Sequence, residues 1–123
     1  MKRLPDSELD IMMIIWELNR PVTRFDIEGE LDGNKKLSAT TILSFLSRLQ
    51  EKGFLEVTKE GKNNIYTAII DKESYMRMDS KNVLNKLYRN SIRNFVASLY
   101  DGENLSEADL RELEEYLHQK RGK

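Results

Sequence analysis

One spacing recurs three times in the sequence: an apolar residue is followed by Ser or Thr, and a second apolar residue stands five positions after the first. It occurs at Val22-Thr23…Ile27, Leu37-Ser38…Ile42 and Leu105-Ser106…Leu110. The hydroxyl can accept a hydrogen bond from a free N–H of the first helical turn, and the apolar pair can close over that cap. The spacing therefore predicts three helix starts, and Asp26 and Asp109 can complete two of them as capping boxes.

A further helix is predicted near the beginning of the chain, from about Asp6 to Leu18. There an apolar stripe recurs at helical spacing through Leu9, Met12, Met13 and Trp16. Pro21 follows a break, the second helix is expected to end near residue 31, and turn-forming residues occupy positions 32–34. The third helix should run from Ser38 to Lys52, with Gly53 just beyond its end. Two helices joined by a tight turn result.

The hydrophobic period changes from 3.6 to 2 after Gly53. Leu55 and Val57, and then Ile65, Thr67 and Ile69, alternate on the two sides of a polar turn at residues 60–64. This pattern predicts a hairpin whose tip carries Lys59 and Lys62. Helix, short extended segment, helix, helix and hairpin is the order of a winged helix-turn-helix domain, which we expect at residues 1–70.

Residues 71–123 return to the helical period, with a break expected at Asn90-Ser91. About 50 residues of amphipathic helix cannot bury a long apolar stripe by folding on themselves alone. A second copy of the chain is the simplest partner, so this segment is predicted to be a helical dimerisation domain. The stripe consists of Leu84, Tyr88, Ile92, Phe95, Leu99, Leu110, Leu113 and Leu117.

Composition excludes several classes of site. The chain has no cysteine and a single histidine, so a disulfide framework, a thiol nucleophile and a Cys-ligated or multi-histidine metal site are excluded. No pattern resembles a nucleophile–base pair or a phosphate loop, so we expect neither an enzyme nor a cofactor. The longest purely apolar run, Ile11–Trp16, has six residues. It is too short to span a membrane, and a soluble cytoplasmic protein without membrane insertion is expected.

The net charge of −1 hides a banded distribution. Residues 35–62 carry six basic and three acidic side chains, so the predicted third helix and hairpin are locally basic. The third helix has a hydroxyl-rich side on which Thr40, Ser44 and Ser47 lie, with Thr41 at its flank. These four residues are predicted to read DNA bases in the major groove. The predicted phosphate contacts are Lys36, Arg48, Lys59 and Lys62.

Three stretches resemble the penicillinase-repressor family, which includes the β-lactamase and methicillin-resistance repressors. They are the opening Leu4-x-x-Ser7-Glu8-Leu9-x-Ile11-Met12 with Trp16-Glu17, the run from Ser38 to Leu55 that contains Arg48-Leu49 and Lys52-Gly53, and Leu105-Ser106 with Leu110 and Leu113. Their order and spacing make the resemblance fairly specific, and it covers nearly the whole chain. The chain departs from the family motif at the third helix. Leu37-Ser38-Ala39-Thr40-Thr41 stands where Trp-Ser-Pro-Lys-Thr is usual, and Leu43 replaces a basic residue.

The resemblance implies a homodimeric repressor of antibiotic-resistance genes that binds a near-palindromic DNA operator. It also implies relief of repression by a membrane-bound sensor protease that cuts the C-terminal region. The bond would be Ser98-Leu99, with Asn94-Phe95 one turn earlier as the other candidate.

Two other functions stay open from the sequence. The near-neutral charge and the missing basic residues permit a degenerate winged helix that binds only proteins. A regulator that binds a small effector between its helices is the third possibility.

Overall fold

The structure is a computed structural model, and it describes residues 1–31 and 36–122. The turn predicted at residues 32–34 lies outside the described residues. The elements are α1 (Asp6–Leu18), α2 (Arg24–Glu30), α3 (Ala39–Glu51), β1 (Leu55–Glu60), β2 (Asn63–Ala68), α4 (Lys72–Tyr88), α5 (Ile92–Asp101) and α6 (Glu107–Arg121). The chain divides into two compact units, Met1–Asp79 and Ser80–Lys123.

The three predicted helix starts are confirmed. Thr23 caps α2 and Ser106 caps α6, each in a complete capping box with the Asp three residues later. Ser38 caps α3 by accepting a hydrogen bond from the backbone N–H of Thr41. The predicted break between α4 and α5 is also confirmed, because Ser91 caps α5. Local hydrogen bonding therefore sets where these helices begin.

The core of the first unit lies between α1, α2, α3 and the hairpin. Its fully buried side chains include Ile11, Met12, Ile15, Val22, Ile27, Ile42, Leu46, Leu49, Phe54 and Leu55. Val22 also exchanges two backbone hydrogen bonds with Tyr66, which attaches the extended segment before α2 to the edge of the hairpin. α3 packs one side against this core through Ile42, Leu46 and Leu49 and leaves its other side exposed.

The inward side of α1 differs from the predicted stripe. Met13 is 40% exposed, and Leu9 and Trp16 only pack at the margin of the core, whereas Glu8, Ile11, Met12 and Ile15 are buried. The inward row consists of positions 8, 11, 12 and 15, so it contains Ile11 and Ile15, which the predicted stripe left out, and it also contains Glu8, whose carboxylate binds Lys52. A carboxylate in the core cannot be recognised from an apolar pattern.

The hairpin is tighter than the predicted five-residue turn. β1 and β2 pair antiparallel up to Glu60↔Asn63, which leaves only Gly61 and Lys62 in the turn. Gly61 has φ 63°, a conformation that glycine adopts without a steric penalty. The register places Val57 opposite Tyr66 and Leu55 opposite Ala68, so the core side of β2 carries Tyr66 and Ala68 instead of Ile65 and Thr67.

The first unit continues into α4. Tyr75 is buried, accepts a hydrogen bond from the backbone N–H of Leu4 at 2.8 Å, and has its ring 5.7 Å from those of Trp16 and Phe54. Trp16 Nε1 donates to the carbonyl oxygen of Ile70 at 2.8 Å. These contacts attach the beginning of α4 to the winged-helix core.

Candidate DNA-binding surface

The outer side of α3 carries small polar side chains. Ile42, Leu46 and Leu49 are buried on the inner side, and this burial fixes the rotation of the helix about its axis. Thr40, Ser44 and Ser47, three of the four residues predicted to read bases, are consequently exposed together on the outer side. Short hydroxyl side chains on such a surface can donate and accept hydrogen bonds at base edges.

Thr41 has a different environment from the other three. Its side chain is half-buried, and its hydroxyl lies 2.8 Å from that of Ser38, the residue that caps the helix. The Thr41 hydroxyl therefore already has a partner at the beginning of α3. We therefore expect the main role of Thr41 to be in the cap of α3.

The end of α3 is held by an ion pair with α1. Lys52 Nζ lies 2.6 Å from Glu8 Oε1, and the Glu8 side chain is only 4% exposed. Lys52 is the last residue before Gly53, whose φ of 82° lets the chain leave the helix towards β1. The pair thus fixes the junction from which both the outer side of α3 and the hairpin project.

The predicted phosphate contacts surround this surface. Lys62 is exposed in the two-residue turn of the hairpin, and Lys59 is exposed on β1 opposite Asn64. Arg48 is exposed on α3 with its guanidinium 5.9 Å from the ring centroid of Phe45. Lys36 is exposed two residues before the cap of α3.

A cleft of about 330 Å³ lies between the beginning of α2, the outer side of α3 and the hairpin. Two predicted phosphate contacts, Lys59 and Lys62, line it. Five further residues that line the cleft had no predicted role: Arg24, Phe25, Leu43, Asn63 and Asn64. Three separate elements form this cleft, so no local sequence motif could have indicated it.

Arg24 and Phe25 project at the beginning of α2. The Arg24 guanidinium lies 4.4 Å from the centroid of the Phe25 ring and 3.4 Å from Glu28 Oε1. Phe25 is nevertheless 56% exposed. A cation held on an aromatic ring is partly ordered in advance, which favours binding of an anion such as a phosphate.

The carboxylate that completes the cap of α2 is kept ionised. The pKa of Asp26 is held below its usual value, mainly because the Thr23 backbone N–H donates to its carboxylate, and secondarily because Arg20 donates to it at 3.1 Å. This anion orders the first turn of α2, from which Arg24 and Phe25 project.

The predicted dimerisation stripe lies in the second unit. Ile92 is 66% exposed, Phe95 36%, Leu113 38% and Leu117 48%, while Leu84, Tyr88, Leu99 and Leu110 are half-buried. Tyr88 and Phe95 meet edge to face at 5.2 Å. The described residues 80–122 include no buried side chain, so the stripe is largely open to solvent in a single copy.

The part of the chain that the structure describes was also searched for metal sites and for membrane-spanning helices. There, no three His, Cys, Asp or Glu side chains are grouped so that they could hold a metal ion. Within the same ranges no helix is long and apolar enough to cross a bilayer.

Known sequences are similar to this chain over nearly its whole length. Residues 4–119 match the penicillinase repressor family. The chain is 31% identical to the penicillinase repressor of Bacillus licheniformis, over 97% of this chain and 94% of that protein. It is 28% identical to the methicillin resistance regulatory protein MecI of Staphylococcus aureus strain N315, over 95% and 94% respectively.

Solved structures are similar to part of the chain. The solution structure of the DNA-binding domain of the repressor BlaI matches 61% of this chain and 94% of that chain, with a TM-score of 0.52 and 35% identity. Monomeric Bacillus licheniformis BlaI in complex with the blaP half-operator matches 60% and 89%, with a TM-score of 0.50 and 34% identity. The winged-helix fold predicted from the sequence is confirmed.

Proposed function

The chain belongs to the penicillinase repressor family, and on that premise we propose that it is a transcriptional repressor that binds operator DNA as a homodimer. The observation that carries the proposal is the exposed hydroxyl side of α3, bordered by the Lys59 and Lys62 side chains of the hairpin. A helix of this kind fits the major groove, and a basic hairpin beside it can contact the adjoining backbone. Function then depends on binding, without catalysis.

Thr40, Ser44 and Ser47 are the base-reading residues in this proposal. Arg48, Lys59, Lys62 and Lys36 bind phosphates, and Arg24 joins them because it lines the same cleft as two of the lysines. A related repressor, BlaI, has been solved with a half-operator bound, which supports placing α3 against DNA. Names of the relatives refer to penicillinase and methicillin resistance, so we propose antibiotic-resistance genes as the targets.

Dimerisation through residues 71–123 is part of the proposal. α5 and α6 bury no side chain in one copy, although each has an apolar side. A second copy would cover the stripe from Leu84 to Leu117. The two winged helices would then occupy half-sites one or more helical turns apart, roughly 34–36 Å per turn, on a near-palindromic operator.

Relief of repression by a membrane-bound sensor protease completes the proposal. A cut at Ser98-Leu99 would remove Leu110, Leu113 and Leu117 from the DNA-binding unit. Both residues lie inside α5, and Ser98 Oγ accepts a hydrogen bond from the Tyr88 hydroxyl at 3.4 Å. Asn94-Phe95 lies nearer the beginning of α5, so less of the helix has to open there. A protein ending at Ser98 should therefore bind the operator far more weakly than the full chain.

Footprinting of the full-length protein on the DNA upstream of its own gene tests the proposal. We expect a protected near-palindrome whose affinity falls steeply as salt rises. Lys62→Ala should weaken specific and non-specific binding about equally and reduce the salt slope by about one unit, whereas Ser44→Ala should change the sequence preference. Absence of a protected site, or an affinity insensitive to salt, would instead indicate a winged helix that binds proteins.

A further inference from the structure

An apolar side chain stands among the hydroxyl side chains of the outer side of α3. Leu43 is 41% exposed, three residues after Thr40 and four before Ser47, and is therefore on the same side of the helix as both. The neighbouring Ile42 is fully buried, so the exposure of Leu43 follows from the rotation of α3 that the core imposes. A leucine at this position cannot make a hydrogen bond to a base or a phosphate.

Leu43 faces the cleft between α2, α3 and the hairpin. The same cleft is lined by Phe25, a second exposed apolar side chain, and by Arg24, Lys59 and Lys62. Two apolar groups therefore lie among three cations. This combination matches the chemistry of a DNA strand in the major groove, where backbone phosphates adjoin the base edges.

Only one normal base offers an apolar group in the major groove. Thymine carries a C5-methyl there, whereas guanine, cytosine and adenine present hydrogen-bond donors and acceptors. Contact with Leu43 would remove both the methyl group and part of the leucine from water, which is favourable. The same side chain would leave a guanine or cytosine edge without the hydrogen bonds that it makes with water.

We propose that Leu43 is a specificity-determining residue that reads a thymine methyl in each half of the operator. Phe25, which lines the same cleft, positions the Arg24 guanidinium for the adjoining phosphate. The inference rests on the proposed function, because it assumes that α3 enters the major groove. It adds a readout that depends on shape and burial to the hydroxyl contacts of Thr40, Ser44 and Ser47.

Removal of single methyl groups from the DNA tests the proposal. The full-length protein first selects its preferred duplex from a random library, and each thymine is then replaced by deoxyuridine, which keeps the base pair and lacks only the methyl group. At one symmetric thymine position we expect affinity to fall about three- to fivefold for each half-site, the effect of losing one buried methyl contact. Other thymine positions should show smaller changes.

Protein variants assign the contact. With Leu43→Ala, deoxyuridine at that position should no longer reduce affinity, while Leu43→Met, which keeps an apolar side chain, should retain the sensitivity. Ile69→Ala is the matched control, because Ile69 is 59% exposed and lies outside the cleft lining. It should respond to deoxyuridine as the unchanged protein does.

The outcomes separate the two proposals. If a duplex is selected but no thymine methyl affects its affinity, or if Leu43→Ala keeps the full sensitivity, Leu43 has no such role while the repressor function stands. If no duplex is selected at all, both proposals are wrong.

Discussion

The two units of the chain begin their helices with the same chemistry and bury very different amounts of apolar surface. The described part of the first unit, residues 1–31 and 36–79, encloses thirteen apolar residues, from Leu4 to Tyr75, whereas the described residues 80–122 enclose none. Yet α2 in the first unit and α6 in the second have equivalent capping boxes. Caps therefore determine where a helix starts in both units, and burial depends on whether other elements are available to cover it.

The difference in burial between the two units predicts that another copy of the chain covers the apolar side of the second unit. Leu110→Asp together with Leu113→Asp should give monomers, because two carboxylates would have to be buried in the interface. Loss of the second half-site contact should lower operator affinity on the order of 10² to 10⁴-fold. Sedimentation and operator binding measure the two effects.

Arg111→Asp with Gln119→Asp adds negative charge to α6 away from the stripe and is the control for that variant. It should remain dimeric. Two results would contradict the prediction that a second copy covers this unit. One is a Leu110→Asp, Leu113→Asp protein that stays dimeric, and the other is an unchanged protein that sediments as a monomer at micromolar concentration.

The first unit should be sensitive at its buried ion pair instead. Lys52→Met leaves the Glu8 carboxylate, whose side chain is 4% exposed, without its partner. We expect the free energy of unfolding to fall by about 2–3 kcal/mol, somewhat less than for a fully buried pair because Lys52 is 38% exposed. Denaturant unfolding of the full chain measures it.

A second variant and a control locate this effect. Glu8→Leu with Lys52→Met removes both charges and should recover most of the loss. Arg20→Met, which breaks the more exposed pair with Asp26, should cost less than about 1 kcal/mol. If Lys52→Met cost no more than Arg20→Met, the ion pair would not stabilise the junction between α1 and α3.

The two capping boxes offer the sharpest comparison of the units. Thr23→Ala and Ser106→Ala each remove a cap worth about 1 kcal/mol. Thr23→Ala should lower the stability of the first unit at any protein concentration. Ser106→Ala removes two caps per dimer, so it should weaken dimerisation about thirtyfold and leave the first unit unchanged. Hydrogen exchange of α1 and α3 measures the stability of the first unit, and a dilution series measures dimerisation. If the two variants changed both quantities equally, the two caps would not act on separate units.

The smallest of the expected effects is that of acid on the two capping boxes. Hydrogen bonds from Thr23 and Ser106 hold the pKa values of Asp26 and Asp109 below their usual 3.8. Because the folded state has the lower pKa, these carboxylates stabilise it above that value, and the contribution is lost as pH falls below it. Melting temperatures should decline as the pH falls below about 4, and less steeply in Asp26→Asn with Asp109→Asn. An equal decline in that variant would show that other carboxylates cause it.

Local patterns in the sequence predicted much of the fold. The bounds of α1, the caps at Thr23, Ser38, Ser91 and Ser106, and the hairpin after Gly53 could all be recognised, because each depends on residues a few positions apart. The inward side of α1 was predicted only in part. Met12 is buried as expected, but Met13 is exposed, and Glu8 is buried through a partner 44 residues away that no local pattern indicates.

The candidate site shows the same division between local and long-range information. Exposure of Thr40, Ser44 and Ser47 followed from the helical pattern of α3. The cleft did not, since Phe25, Leu43 and Lys62 meet only after α2, α3 and the hairpin pack together. The hydroxyl contact between Thr41 and Ser38 also depends on the rotamers at the cap, which the residue types alone do not specify.

The separation of α3 into a buried and an exposed side has an evolutionary consequence. Ile42, Leu46 and Leu49 make the contacts that the fold requires, while residues 40, 43, 44 and 47 contribute nothing to the core. Substitutions at these four positions can accumulate at little cost to stability, because exposed positions tolerate most changes. A gene duplicate of this protein could therefore acquire a new set of target promoters through a few changes on one helix, while its scaffold stayed the same.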